Sequence, residues 1–142
     1  MPSSAPAPVA PVDRTRGGRT MAYDDDNVFQ KILRGELPCD KVYEDEHVLA
    51  FHDINPLMPV HVLVIPKGRY TSLDDFSTDA SPEAQAAFVR TLAEVARLLG
   101  VDETGYRIVV NNGADGRQEV PHLHAHVFGG RRIRGRMVRT EA

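Results

Sequence analysis

The chain carries one cysteine, Cys39, and no tryptophan. A single thiol excludes an internal disulfide, so stability must come from a core, and a reducing, cytoplasmic setting suits such a chain. No apolar run approaches the roughly 20 residues that a membrane-spanning helix needs. No second cysteine exists to build a Cys-x-x-Cys metal clasp. Positive charge is scarce in the middle of the chain. Of the formal net charge of −3, residues 1–20 contribute +2 and residues 131–142 contribute +4, which leaves −9 for residues 21–130. That balance excludes a general nucleic-acid binder, because neutralising phosphates needs clustered Lys and Arg.

What is present suits one domain: 142 residues, 42% of them hydrophobic, are enough to enclose a core. Residues 1–22 are rich in Pro, Ala, Ser and Gly and read as a disordered extension. Their alternating prolines, and their lack of Leu, Ile and Phe, argue against a secretory signal. Met21 offers a second start site, which stays open. A domain is expected over 23–132, followed by an arginine-rich tail over 133–142. That tail reads equally as a phosphate contact or as a solvated end.

Asp24, Asp25 and Asp26 precede apolar residues at helical spacing, with Gly35 and Pro38 as stops, so a short helix is expected over 26–34. Lys41–Glu44 and His47–His52 flank an acidic turn and read as a β-hairpin. His47 is expected to be exposed and His52 structural. Val60-His61-Val62-Leu63-Val64-Ile65 suits a central strand buried on both faces and closed by Pro66. Residues 67–80 read as loop with a turn of helix. Ser81-Pro82-Glu83 opens a long helix over 82–99, and Gly100 ends it. A fourth strand over 106–111 and a glycine-containing loop over 112–120 follow. The expected class is α+β: about five antiparallel strands with one short and one long helix.

The last strand carries the chemistry. In His122-Leu123-His124-Ala125-His126 the period of two puts three imidazoles on one face, about 6.6 Å apart, with Leu123, Ala125 and Val127 on the other. Pro121 has no N–H to pair, so the strand is expected to begin at His122. Three readings stand: structural histidines satisfied in place, a zinc site, and covalent or acid–base catalysis. A neutral imidazole, with an ordinary pKa near 6.5, is a competent nucleophile at pH 7, and attack on phosphorus divides a hydrolysis into two displacements.

The histidine-x-histidine-x-histidine pattern, with YEDEHVLAFHDINPLMPVHVLVIPK and GYRIVVNNGADGRQEVPHLHAHVFGGR, resembles the histidine-triad superfamily over about residues 26–132. The similarity is to its nucleotide-binding protein branch, which contains the purine nucleoside phosphoramidases. Diadenosine-polyphosphate hydrolases of the superfamily usually end the triad strand in Pro-Arg, whereas this chain has Gly129-Gly130-Arg131. The resemblance implies hydrolysis of the P–N bond of purine nucleoside 5′-phosphoramidates through a nucleotidyl-histidine. Two other readings remain, a purine-nucleotide-binding regulatory or scaffold protein and a dinucleoside polyphosphate hydrolase.

By the resemblance, His124 is the nucleophile, His126 serves the phosphate and the leaving group, and His122 and His61 orient the nucleophile. Asn111 and the backbone of Gln118, Glu119 and Val120 would meet the phosphate, helped by close approach at Gly113 and Gly116. Asp53 follows a strand and can accept two ribose hydroxyl hydrogen bonds, and the resemblance assigns it that role. Phe29, Ile32, Phe51, Ile54 and Leu63 would form the slot for a purine. Glu119 stands where many eukaryotic relatives carry serine, and its carboxylate could attract a cationic leaving amine or simply be solvated. Some relatives bind zinc through a Cys-x-x-Cys, but Asn27 and Gln30 hold the matching positions here. No metal or cofactor is expected. The resemblance also implies a homodimer that joins two sheets through the 82–99 helix and the 106–111 strand, with no membrane partner.

Overall fold

The computed structural model describes residues 22–138; the expected extension, apart from its last residue, and the tail from 139 onward lie outside them. The elements in chain order are α1 Val28–Leu33, β1 Lys41–Glu44, β2 Val48–His52, β3 Val60–Pro66, α2 Leu73–Asp79, α3 Pro82–Leu98, β4 Arg107–Val110 and β5 Ala125–Gly129. The strands form one antiparallel sheet in the order β1-β2-β3-β5-β4. The α+β class with a five-stranded antiparallel sheet is what forms.

Strand β3 lies at the centre because nearly every residue in it is apolar, and the structure buries both of its faces. Val62 and Val64 join Val48, Ala50, Phe76, Phe88 and Val95 under α2 and α3. Leu63 and Ile65 turn the other way and pack with Phe29, Leu49 and Phe51 beside α1. Fully burying one such side chain stabilises the fold by about 1.5–3 kcal/mol. This second, smaller cluster underlies the face on which the histidines gather.

The helices begin where local chemistry satisfies their free N–H groups. Ser81 Oγ accepts from Ala84 N at 3.1 Å, with Pro82 behind it, and α3 starts there as expected. At α1 the cap is Asn27, whose Oδ1 accepts from Gln30 N at 2.9 Å, and no acidic residue occupies the first turn. The three aspartates instead serve the strap before the helix: Asp25 pairs with Arg69 through bonds of 2.7 and 3.0 Å. Residues 67–80 form more than a turn of helix. Ser72 and Asp75 make a reciprocal capping box that starts α2, so there are two short helices and one long one. His47 is half-buried, its Nε2 3.5 Å from Glu46, rather than exposed.

The largest departure concerns the histidine strand. The ladder begins at Ala125, paired with Val64, and not at His122. In that register Leu123 would face Pro66, which has no N–H to donate. Leu123 N bonds Tyr70 O at 2.8 Å instead, and Pro66 O accepts from the His122 ring. The alternation of side chains survives the loss of the ladder, because Leu123, Ala125 and Val127 all enter the α3-side cluster. Among the described residues no helix is long and apolar enough to cross a membrane.

Candidate active site

His61 on β3 and His126 on β5 are neighbours through the sheet register, which pairs Leu63 with His126 and His61 with Phe128. Their rings approach with Nε2 of His61 2.9 Å from Nδ1 of His126. His124 lies alongside, its ring centroid 5.1 Å from that of His126, with the edge of Phe29 against it at 4.9 Å. His122, His124 and His61 are buried, and His126 is partly open.

The hydrogen bonds assign the ring hydrogens. A backbone N–H can only donate and a carbonyl can only accept. Leu57 N donates to His61 Nδ1 at 3.1 Å, so His61 carries its hydrogen on Nε2 and passes it to His126 Nδ1. Neutral His126 therefore bears its own hydrogen on Nε2. His124 Nδ1 is 2.7 Å from His122 O, so it holds the hydrogen there and keeps the lone pair on Nε2. His122 Nε2 donates to Pro66 O at 2.8 Å, and the Tyr23 hydroxyl stands 2.6 Å from its Nδ1.

Burial favours the uncharged form of all four rings. It pulls His122 and His126 down to about 4, with the neighbouring imidazoles adding to the effect. His124 and His61 are also held below the usual value by burial, against the opposing pull of Asp53 and, for His124, of its bond to the His122 carbonyl and of Glu119. Each ring is thus neutral at pH 7.

A cleft of about 420 Å³ opens on this cluster. Its walls include Phe29, Asp53, Leu63, Asn111, Glu119, Val120, His124 and His126, all expected from the sequence. His61 and His122 stand behind it, touching the two lining histidines through the bonds above. Asp53 Oδ1 accepts from Asn55 N at 2.8 Å, and Oδ2 lies 3.5 Å from His61 Nε2. Phe51 is buried and meets Phe29 edge-on at 5.9 Å, supporting the wall without forming it. Ile32 packs against the same apolar cluster. Ile54, expected in the purine slot, is 89% exposed and outside the lining.

The 112–120 loop is tied by the Gln118 side chain, which donates to Thr71 O and Val120 O and accepts from Gly113 N. That side chain is spent on the loop and does not reach the cleft. A Cβ on Gly116 would meet Asn112 O at 2.5 Å, so this turn closes only around glycine. Three further residues were not anticipated. Leu57 and Arg117 line the cleft, and Arg117 holds a left-handed φ of 63°. Tyr23, from the strap before α1, reaches His122. The place of Arg117 directly after the loop glycines 113 and 116 is a signal legible in the sequence; Tyr23 has none.

Asp53, His61 and His126 bring three donor atoms within 4.8 Å of one another, a grouping that the sequence does not display. A cation held by all three would require His61 to surrender the hydrogen on Nε2, and the Leu57 N–H at Nδ1 opposes that exchange. The bonds fit an imidazole relay better than a set of ligands. A larger concavity of about 630 Å³, lined by Tyr106, Arg107, Arg131 and Arg132 among others, contains no histidine or carboxylate.

Comparison with known proteins gives the family and the fold. The HIT domain family matches residues 34–133. A HIT-like protein of Azospirillum brasilense is 60% identical over 111 residues, covering 78% of this chain and 91% of the relative. The purine nucleoside phosphoramidase of Escherichia coli K12 is 39% identical over 107 residues, covering 75% and 89%. Among solved structures, a histidine triad protein from Clostridium difficile superposes with a TM-score of 0.72 at 43% identity, covering 78% of this chain and 96% of that one. The match spans most of the chain and includes every histidine of the cluster, and on these grounds the chain belongs to the HIT domain family.

Proposed function

We propose that the chain is a nucleotide hydrolase that cleaves the P–N bond of purine nucleoside 5′-phosphoramidates through a covalent nucleotidyl-His124. One observation carries this reading: the bond from His124 Nδ1 to His122 O, which leaves a neutral imidazole with its lone pair on Nε2 at the wall of the cleft. The phosphoramidase named in Escherichia coli supports the choice of bond.

In the first displacement His124 Nε2 bonds to the α-phosphorus and the P–N bond breaks. The ring gains positive charge, and its Nδ1–H strengthens its bond to the His122 carbonyl. The departing amine takes a proton from His126. In the free protein His126 is neutral, but a bound phosphate is an anion within a few ångströms and favours the imidazolium, at the cost of the bond from His61 Nε2, since His126 Nδ1 then carries hydrogen itself. In the second displacement water attacks phosphorus, His126 receives the water's proton, and the P–Nε2 bond breaks. Nucleoside monophosphate leaves and His124 returns to its neutral tautomer.

The remaining walls suit the rest of the substrate. Asp53 is placed to accept from ribose hydroxyls, and Phe29 with Leu63 offers an apolar surface to a purine. Asn111 and the backbone of the 112–120 loop supply donors for phosphate oxygens. Glu119, exposed on the rim, would favour a cationic leaving amine such as a lysyl group. The same reading includes a functional unit over 23–132, a cytoplasmic setting and a homodimer. In support of the dimer, β4 is an edge strand, and Val89 and Leu98 of α3 with Ile108 of β4 leave apolar side chains exposed.

Rapid mixing with an adenosine 5′-phosphoramidate tests the reading. The expected result is a burst of amine, a nucleotidyl adduct trapped by acid quench on His124, and loss of both in His124→Ala with AMP binding retained. Tight AMP binding without His124-dependent turnover would support a regulatory nucleotide-binding protein instead. Faster turnover of a diadenosine polyphosphate would move the reading to the polyphosphate hydrolases.

A further inference from the structure

We infer that Tyr23 is a positioning residue for the nucleophile: its hydroxyl donates to Nδ1 of His122 and so holds the His122 carbonyl against the Nδ1–H of His124. The inference rests on the reading of His124 as the nucleophile and extends it to a residue 99 positions from the triad.

The His122 ring is fully buried, and both its nitrogens have a partner. Nε2 faces the Pro66 carbonyl, which can only accept, so Nε2 bears the hydrogen. The ring is neutral, so Nδ1 is an acceptor, and the Tyr23 hydroxyl at 2.6 Å is its donor. Burial raises the phenol above its ordinary value, which keeps its hydrogen in place through neutral and mildly alkaline pH.

The bond matters because of where it falls. His122 and Leu123 precede the β5 ladder, so no strand pairing fixes their backbone. They are held by His122 N to Val120 O, by Leu123 N to Tyr70 O, and by the two bonds of the His122 ring. The ring acts as a peg between β3 and the strap. The carbonyl of the same residue sets both the tilt and the tautomer of His124. Without the phenol hydrogen, His122 Nδ1 becomes a buried acceptor without a donor, a cost that loosens the seat of the ring while Pro66 O still keeps its hydrogen on Nε2.

Tyr23 is itself clamped. The Arg69 guanidinium lies 5.0 Å over its ring, Asp25 holds Arg69 by two bonds, and Arg34 donates to Asp25 O at 2.8 Å. One competitor exists: Gln30 Oε1 lies 2.8 Å from the same hydroxyl and also accepts. A half-turn of the Gln30 amide puts a donor there and commits the phenol hydrogen to His122.

The test uses the full chain labelled with nitrogen-15 and compares Tyr23→Phe with the parent. Phenylalanine keeps the ring and its packing and removes only the hydroxyl. Two-bond proton–nitrogen spectra of the parent should show His122 as the Nε2–H tautomer and His124 as the Nδ1–H tautomer. In Tyr23→Phe the His122 Nδ1 resonance should move downfield, as for an acceptor that has lost its donor, and the His124 Nδ1–H signal should shift with it. The rate of nucleotidyl transfer to His124 should fall about 10- to 100-fold, as a small misplacement does, with KM within about twofold. Gln30→Glu, which offers only acceptors to the phenol, should move the same signals in the same direction, and it serves as the arm if Tyr23→Phe does not fold. Unchanged His122 Nδ1 and His124 Nδ1–H shifts in a folded variant, or an unchanged transfer rate, overturn the inference. If the parent itself shows no His124-dependent transfer, the hydrolase reading fails separately, and the His122 and His124 nitrogen shifts alone then decide whether Tyr23 holds the His122–His124 pair.

Discussion

Leu57 donates its backbone N–H to Nδ1 of His61 across 3.1 Å, and this contact sets the direction of the relay that ends at His126. A loop residue thereby determines which nitrogen of a ring on a neighbouring strand can donate. His61→Phe would remove the hydrogen that reaches His126 Nδ1 and leave that nitrogen without its donor. The expected outcome is a fall in kcat of about 10²-fold, typical of lost proton-transfer control, with stability lower by about 1–3 kcal/mol for the unmet acceptor. Steady-state kinetics and denaturant melts measure the two effects, and an unaltered kcat would remove His61 from the relay.

With His124 as the proposed nucleophile, the pH dependence of kcat/KM follows from the burial of its ring. Protonated His124 has no lone pair, so activity rises with pH as the ring loses its proton. Burial holds its pKa below the ordinary 6.5. The acid limb should therefore have its midpoint below 6.5, and kcat/KM should fall again toward alkaline pH as the proton that His126 must take up on binding becomes scarce. A midpoint at or above 6.5 in a profile of the free protein would contradict the buried, neutral ring.

Stability has a pH window of its own. His122 and His126 are held near 4 in the fold, against 6.5 for an ordinary imidazole. The unfolded chain then binds more protons than the folded one between those values, so stability is full above 6.5 and is lost as pH falls toward 4. His122 alone contributes on the order of 3 kcal/mol to this loss. Urea midpoints taken between pH 7 and pH 4 should decline steadily. In His122→Asn, less stable at pH 7, the decline should be shallower; an equal slope would show that His122 does not titrate on unfolding.

Glu119 and Arg117 stand on the rim of the cleft with opposite charges. If Glu119 draws cationic leaving amines, Glu119→Ser should reduce the preference for a lysyl over a neutral-amine phosphoramidate by up to about 5-fold, the range of an exposed charge pair. Competition between the two substrates reads the ratio directly. A ratio equal to that of the parent assigns Glu119 to solvent.

Ser72→Ala separates stability from chemistry. It removes the α2 cap, and the expected cost is about 1 kcal/mol, seen as a lower melting temperature. Kinetic constants should not move, because Ser72 touches no residue of the cleft wall through the bonds that cap α2. A change in kcat would show that α2 communicates with the 112–120 loop, which it meets where Asn112 Oδ1 accepts from Leu73 N at 2.9 Å.

Much of this architecture was legible because local rules and tertiary packing agree. The β3 run announces a strand buried on both faces, Ser81-Pro82-Glu83 announces a helix, and the period of two across 122–127 sorts imidazoles from core residues. Where the sequence misleads, information from elsewhere in the chain decides. The start of β5 depends on the missing N–H of Pro66, 59 positions before Ala125 and on another strand. The α1 cap is Asn27, while Asp25 pairs with Arg69, 44 positions away. The box at Ser72 and Asp75 was present in the sequence, hidden among acidic residues that resemble a loop. Ile54 carries an apolar side chain after Asp53, and no local rule says that it points to solvent.

The end of strand β3 has a consequence for anyone transplanting this chemistry. A proline that interrupts a sheet is commonly a stop sign; Pro66 instead vacates a carbonyl, which an imidazole then occupies. Three histidines grafted at alternate positions on an intact ladder would all face one way, yet that carbonyl would already be bound to a backbone N–H. Their tautomers would be unassigned. A working graft must import the frayed edge of the sheet along with the residues that line it.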